Sequence, residues 1–210
     1  MKFKAVLFDV DGTLLDTHEY IYQAFEFALN KHHNKISRFQ LQQVMGKPLE
    51  ECYKILTKLD DISHLAKAHY DFQKQNPSLS VPFSNAVDVL MKLRHENYHI
   101  AAITTRAKNT AYETLEQSDM LKYLDFVVTI DDVVHPKPHP EPLQKALKYL
   151  GVPPHKAVMV GDSPADIEAG KNAGTKTIGV TYGFHGEKIR SSMPDMVVDN
   201  IKEVLQYLKL

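Results

Sequence analysis

The sequence predicts an α/β protein: a doubly wound, Rossmann-like parallel sheet with a helical cap inserted after its first strand. Three observations predict it. Short apolar runs ending in a polar residue or turn recur along the chain, helical patterns separate most of them, and one long stretch near the N-terminus breaks the alternation. Strands buried on both sheet faces read as continuous apolar runs, and alternation of strand with helix is the mark of the α/β class.

Five runs carry the strand signal: Ala5–Asp9 (AVLFD), His99–Thr104 (HIAAIT), Phe126–Ile130 (FVVTI), Ala157–Asp162 (AVMVGD) and Thr177–Val180 (TIGV). "MVVD" near the C-terminus predicts an edge strand, followed by a last helix capped by Asn200 with Glu203 three residues on. Between strands, "EPLQKALKYLG" places Pro142 in the first turn and Gly151 past the last, the asymmetry expected of a helix. "SPADIEAGKNAG" closes in the same way on Gly174.

From Thr17 to Pro77 there is helical periodicity and no strand-like run. Asp16 with Glu19, and Ser37 with Gln40, have the spacing of capping boxes, and Pro48 opens "PLEECYKIL". The "EFALNKHH" stripe reads as core packing of the first of these helices. About four helices are expected here, and the division predicted is a core of residues 1–16 and 78–210 with a cap of residues 17–77. Hinges are expected near Leu15–Thr17 and near Asn76–Phe83, where Pro77 and Pro82 punctuate the chain.

Composition narrows the function. With 210 residues, 43% hydrophobic and 24% charged, the chain can bury a substantial core, and its formal charge of −1 gives no basic field for nucleic acid or acidic lipid. Small-molecule partners are expected, with no nucleic acid, no membrane, and a monomer or weak dimer. The lone cysteine, Cys52, excludes an internal disulfide. No apolar run reaches the ~20 residues of a membrane span, and the N-terminal run is too short for a signal peptide. A cytoplasmic location is expected.

Ligands of open α/β sheets bind beyond the carboxyl ends of the strands. There the first strand delivers Asp9 and Asp11, the second Thr104 and Thr105, the fourth Asp162 with Asp166 a helical turn on, and the loop after the third Lys137. Each has an ordinary role when taken singly, as a polar strand end, a helix cap or a solvated lysine. Together they suit phosphoryl transfer. Asp9, Asp162 and Asp166 make an oxygen-rich pocket for Mg²⁺, while Thr104, neighbouring amides and Lys137 offer donors to the equatorial phosphate oxygens. A carboxylate can form a covalent aspartyl-phosphate, and a second carboxyl two residues away can serve as acid and then base. Gly12 lets the chain turn tightly after the pair, and Asp16 is expected to cap a helix. A phospho-acceptor signalling domain uses a similar residue set, but such domains are shorter and place the acceptor mid-chain.

In order, "DVDGTLLD", the strand-end Thr of "AAITT", the Lys of "KPHPEP" and "GDSPAD" match four motifs of the haloacid dehalogenase-like superfamily, which the sequence resembles across the whole core. The resemblance implies Asp9 as nucleophile and Asp11 as general acid/base. It implies Thr104 and Lys137 as phosphate ligands, with Mg²⁺ held by Asp9, the Asp11 backbone carbonyl and Asp162, and with Asp166 in support. The haloacid dehalogenases themselves lack the second Asp of the first motif, so Asp11 points to phosphate chemistry. Sugar-phosphate mutases of the family carry a His and an Arg where this sequence has Ile21 and Leu49. "VVTIDDVVHPKPHPEP", "GKNAGTKTIGV" and the Thr104–Thr105 pair look like the family's pyrophosphatases and their phosphoglycolate-phosphatase relatives. His139 stands where those relatives commonly have an acid, and the cap resembles them little.

Four other features complete the reading. Lys47, after the flexible Gly46, is a candidate to reach the leaving group from the cap. His135 and His139 are four apart, but Pro136 and Pro138 forbid the helix on which that spacing would make a metal pair. The same prolines are expected to stiffen the loop that carries Lys137. Arg106, His32 and His33 are expected to be solvated surface residues.

Overall fold

The computed structural model describes residues 3–30 and 36–210. A parallel six-stranded sheet forms its centre, from β1 (Ala5–Phe8), β4 (His99–Ile103), β5 (Phe126–Val128), β6 (Ala157–Gly161), β7 (Lys176–Val180) and β8 (Met196–Val198). Their spatial order is β5-β4-β1-β6-β7-β8, with Phe8 opposite Ala102 on one side and Val160 on the other. The chain builds outward from β1 to β5, then returns across β1 to lay down β6. That reversal is the topological switch point, where an open α/β sheet leaves a crevice beyond its carboxyl edge.

The period of two along β1 assigns its side chains to two layers. Val6 and Phe8 pack with residues of α5 (Ala86–His95), α6 (Lys108–Gln117) and α9 (Glu203–Leu208), among them Leu90, Leu115 and Val204. Ala5 and Leu7 face α7 (Glu141–Leu150) and α8 (Pro164–Ala173), through Leu143, Leu147 and Ala169. Both faces are covered, which is why every predicted strand reads as unbroken apolar sequence. Each fully buried Leu or Phe here contributes roughly 1.5–3 kcal/mol of transfer free energy.

Two short antiparallel strands, β2 (Leu15–Asp16) and β3 (Val81–Pro82), carry the chain out of and back into this core. Between them lie α1 (His18–Asn30), α2 (Arg38–Gln42), α3 (Leu49–Thr57) and α4 (Ser63–Gln75). They share a hydrophobic cluster of their own, with Phe25, Leu41, Tyr53 and Leu65 at its centre. A core residue, Phe184, joins that cluster from the loop after β7.

The helix ends follow the predicted chemistry in most places. Gly151 and Gly174 terminate α7 and α8 in the left-handed conformation. Ser37 and Gln40 form a reciprocal capping box, as do Ser163 and Asp166. Two expected boxes are absent. Asp16 accepts from the backbone N–H of His18 and lies 2.8 Å from its Nδ1, while Glu19 is drawn away to Arg38. Asn200 accepts from the N–H of Lys202 in a local turn before α9 begins. In both cases another partner takes the side chain that the box requires. The run at Phe126–Ile130 is also shorter as a strand than expected, because Thr129 and Asp132 cap a 3₁₀ turn that ends it.

Candidate active site

β1, β4 and β6 are neighbours, so their carboxyl ends bring Asp9, Thr104 and Asp162 to one place. Asp9, Asp162 and Asp166 are buried, with one carboxylate oxygen from each lying within 4.8 Å of the others. Lys137 closes this group from below. Its Nζ donates to Asp9 Oδ1 and Asp166 Oδ1, both at 2.6 Å, and to the Ile103 carbonyl at 2.9 Å. The ordinary expectation for a lysine between prolines is solvent, yet Lys137 is 6% exposed.

Two further oxygens of the cluster are also held. Asp166 Oδ2 accepts from the backbone N–H and hydroxyl of Ser163, and Asp162 Oδ2 accepts from the Phe184 N–H at 2.6 Å. Glycines let the backbone close around the acids. Gly12 turns at φ +81°, and a Cβ there would lie 2.5 Å from Asp162 Oδ2. A Cβ on Gly183 would lie 2.3 Å from Asp162 Cβ.

Burial raises the Asp9 carboxyl to about 7 against the pull of Lys137. Asp162 is held well above the usual range by burial and then by Asp9 and Asp166. For Lys137 the penalty of burial is outweighed by the two carboxylates, and its proton is held more tightly than in water. With all three carboxylates ionised against one ammonium the cluster would carry an excess of two negative charges, the complement of one divalent cation. Hard oxygen donors in a tight, partly neutralised cluster suit Mg²⁺ chemically.

Asp11 is placed differently. Its carboxyl lies outside the three-acid cluster and is gripped by Arg106, with Nε to Oδ2 at 2.7 Å and an Nη to Oδ1 at 2.6 Å. Burial would raise its pKa, but the guanidinium outweighs burial and the net shift is downward. Arg106 is therefore not the solvated residue expected. Its side chain is 9% exposed, stacks over the Tyr20 ring of α1 at 5.0 Å and donates to Thr114 at 3.2 Å. Its position two residues past Thr104 was the available signal, since a charged residue so near a strand end faces the same crevice.

Thr104 is buried and its hydroxyl oxygen accepts from the Arg106 N–H. Thr105 and Arg106 line a cavity between core and helical insert, together with Asp9, Asp11 and Asp162. The insert contributes Ile21, Phe25, Lys47, Leu49, His69 and Gln73 to its walls. Lys47 sits at the rim, 44% exposed and paired with Glu51 in the first turn of α3. Gly46 beside it turns at φ +88°, and an added Cβ would stand 3.1 Å from Ser163, so the insert touches the core there. The rings of His135 and His139 lie 4.7 Å apart, tilted at 49°, and belong to no metal-binding group among the described residues, while His32 and His33 lie outside those residues.

Among the described residues, no helix is long and apolar enough to cross a membrane. The haloacid dehalogenase-like hydrolase model matches residues 6–180. The pyrophosphatase PpaX of Bacillus cereus (strain AH820) is 36% identical over 213 aligned residues, covering 99% of this chain and 97% of that protein. The PpaX of Bacillus mycoides is equally similar, at 36% and with 99% and 98% covered. Among solved structures, a predicted phosphoglycolate phosphatase from Haemophilus somnus superimposes with a TM-score of 0.91 at 22% identity, over 99% of this chain and 98% of that one. A haloacid dehalogenase-like family hydrolase from Streptococcus pneumoniae gives 0.86 at 24%, with 98% of each chain covered. At those identities the superpositions speak for the fold, while the family model and the curated relatives speak for descent. The chain belongs to the haloacid dehalogenase-like hydrolases and is a phosphatase of that family.

Proposed function

We propose that the protein is a Mg²⁺-dependent phosphohydrolase of small phosphate compounds, with pyrophosphate and phosphoglycolate the first substrates to test, acting through an aspartyl-phosphate. The observation that carries this reading is Lys137 Nζ bridging Asp9 and Asp166 at 2.6 Å beside Asp162. A carboxylate buried beside a fixed ammonium is positioned to attack phosphorus, and the ammonium then faces the charge that develops. PpaX is named a pyrophosphatase, which supports the first substrate.

In this reading an Asp9 oxygen bonds to phosphorus as the bond to the leaving oxygen breaks. Asp11 gives a proton to that oxygen, then removes one from the water that cleaves the aspartyl-phosphate, restoring Asp9 and releasing phosphate. Thr104, Thr105 and Lys137 bind the transferred phosphoryl group, and Lys47 meets the leaving group from the rim. Asp9, the Asp11 carbonyl and Asp162 hold Mg²⁺, supported by Asp166, and when bound it supplies positive charge to the phosphate oxygens and relieves repulsion among the carboxylates. Residues 17–77 act as a cap over a core of 1–16 and 78–210, shutting out water during transfer. Hydrolysis is favoured over mutase chemistry because Ile21 and Leu49 present alkyl groups to the cavity.

Phosphate release measured with Mg²⁺ over pyrophosphate, phosphoglycolate and sugar phosphates tests the proposal. Asp9→Asn is expected to melt near the wild-type temperature and lose at least about a thousandfold in rate. Turnover by that variant at the wild-type rate would overturn the mechanism.

A further inference from the structure

Both carboxylate oxygens of Asp11 are taken by one guanidinium, in the paired fork that arginine makes with a carboxylate. While that fork is closed, both oxygens of Asp11 are committed to Arg106. The pair is also part of the cavity wall, which Thr105 and Lys47 line as well. Arg106 is nearly out of water, and its other contacts are the neutral Thr114 hydroxyl and the Tyr20 ring. Withdrawing Asp11 without replacement would strand a buried cation, which is strongly unfavourable. A second anion entering the cavity removes that obstacle.

We propose that Arg106 selects substrates that carry a second anionic group on the leaving side, by exchanging Asp11 for that group when substrate enters. The exchange releases Asp11 toward the leaving oxygen, so the group recognised also completes the site. A phosphate or a carboxylate offers the same two-oxygen edge to the guanidinium. A phosphoester whose leaving group is uncharged leaves the fork closed. This inference rests on the phosphatase reading and names the substrate class that reading left open. Lys47 is less suited to the selection, since it is 44% exposed and already has Glu51 of α3 as partner.

The test compares phosphoglycolate and pyrophosphate with 2-hydroxyethyl phosphate, in which an uncharged hydroxymethyl replaces the carboxylate of phosphoglycolate. Wild-type kcat/KM is expected to favour the two-anion compounds by about 100-fold or more, because a buried cation left unmatched penalises the neutral analogue. Arg106→Gln is expected to lower turnover of the two-anion compounds far more than that of 2-hydroxyethyl phosphate, so that the preference collapses. Arg106→Lys keeps the charge without the fork and is expected to retain part of the preference. An equal fall for all three substrates in Arg106→Gln would assign Arg106 a purely structural role and overturn the proposal, as would a preference that survives the substitution. Should Arg106→Gln not fold, Arg106→Lys must still reduce the preference at least about tenfold, or the proposal fails. Wild-type turnover of all three without preference overturns the selection alone, whereas wild-type turnover of none overturns the phosphatase reading together with it.

Discussion

The backbone N–H of Phe184 donates to Asp162 Oδ2 at 2.6 Å. The same residue puts its ring into the hydrophobic cluster of the helical insert, 4.2 Å from His18 and 5.9 Å from Tyr22, and accepts from Gln42 through its carbonyl. One residue therefore joins the acidic cluster to the helical insert. Its ring gives the insert an apolar seat on the core, and its amide fixes one carboxylate orientation.

Replacing Phe184 with alanine removes the seat and keeps the amide. The expected cost is about 3 kcal/mol, that of emptying an aromatic site that is 4% exposed. Urea unfolding checks the loss. A fall in kcat/KM of more than about tenfold is expected with it, since closure over the substrate is weakened. Unchanged kinetics in a destabilised variant would separate the seat from lid closure.

Lys137→Met leaves Asp9, Asp162 and Asp166 together with no cation among them. Removing one partner of a buried ion pair costs about 3–5 kcal/mol, and that loss is expected with EDTA present. Mg²⁺ is expected to return part of it, so the gain in melting temperature on adding Mg²⁺ should be larger in the variant than in wild type. Phosphate release should remain low even when Mg²⁺ restores stability. Equal Mg²⁺ gains in the two proteins would show that the metal and the ammonium do not share the same carboxylates.

His69, on the insert's side of the cavity, supplies a second pH dependence. It is 2% exposed, its Nδ1 lies 3.0 Å from the Tyr53 hydroxyl, and burial lowers its pKa from 6.5 to about 3. The unfolded chain thus binds a proton that the folded one refuses, and stability falls as pH drops from about 6.5 toward 3. Between pH 7 and pH 5 the expected loss from this residue is about 2 kcal/mol. His69→Gln, which keeps a group able to hydrogen-bond Tyr53, should flatten that limb of the stability curve. Parallel wild-type and variant curves would remove His69 as the cause.

Much of the site was legible because the signals are local. A strand end is marked by where an apolar run stops, so Asp9, Thr104 and Asp162 were placed by counting. Asp11, Asp166 and Lys137 followed from their places just beyond those strand ends and in the loop after the third. Capping boxes were less secure, since Ser37 with Gln40 had no stronger partner nearby, while Glu19 had Arg38 nineteen residues away. Charge alone gave no sign that Arg106 would be buried. An arginine near a loop is ordinarily solvated, and its partner Asp11 lies 95 residues earlier.

The sequence by itself determined the strand-and-helix alternation, the interruption after the first strand and the residues delivered to the sheet edge. Those depend on apolar periodicity and on glycine and proline stops, which act over a few residues. Only the tertiary structure decided which charges share a cavity: Lys137 beneath Asp9 and Asp166, Arg106 on Asp11, and Phe184 between Asp162 and the insert. The reason is that electrostatic partners are chosen by distance and burial, and both are set when β4 and β6 pair on either side of β1.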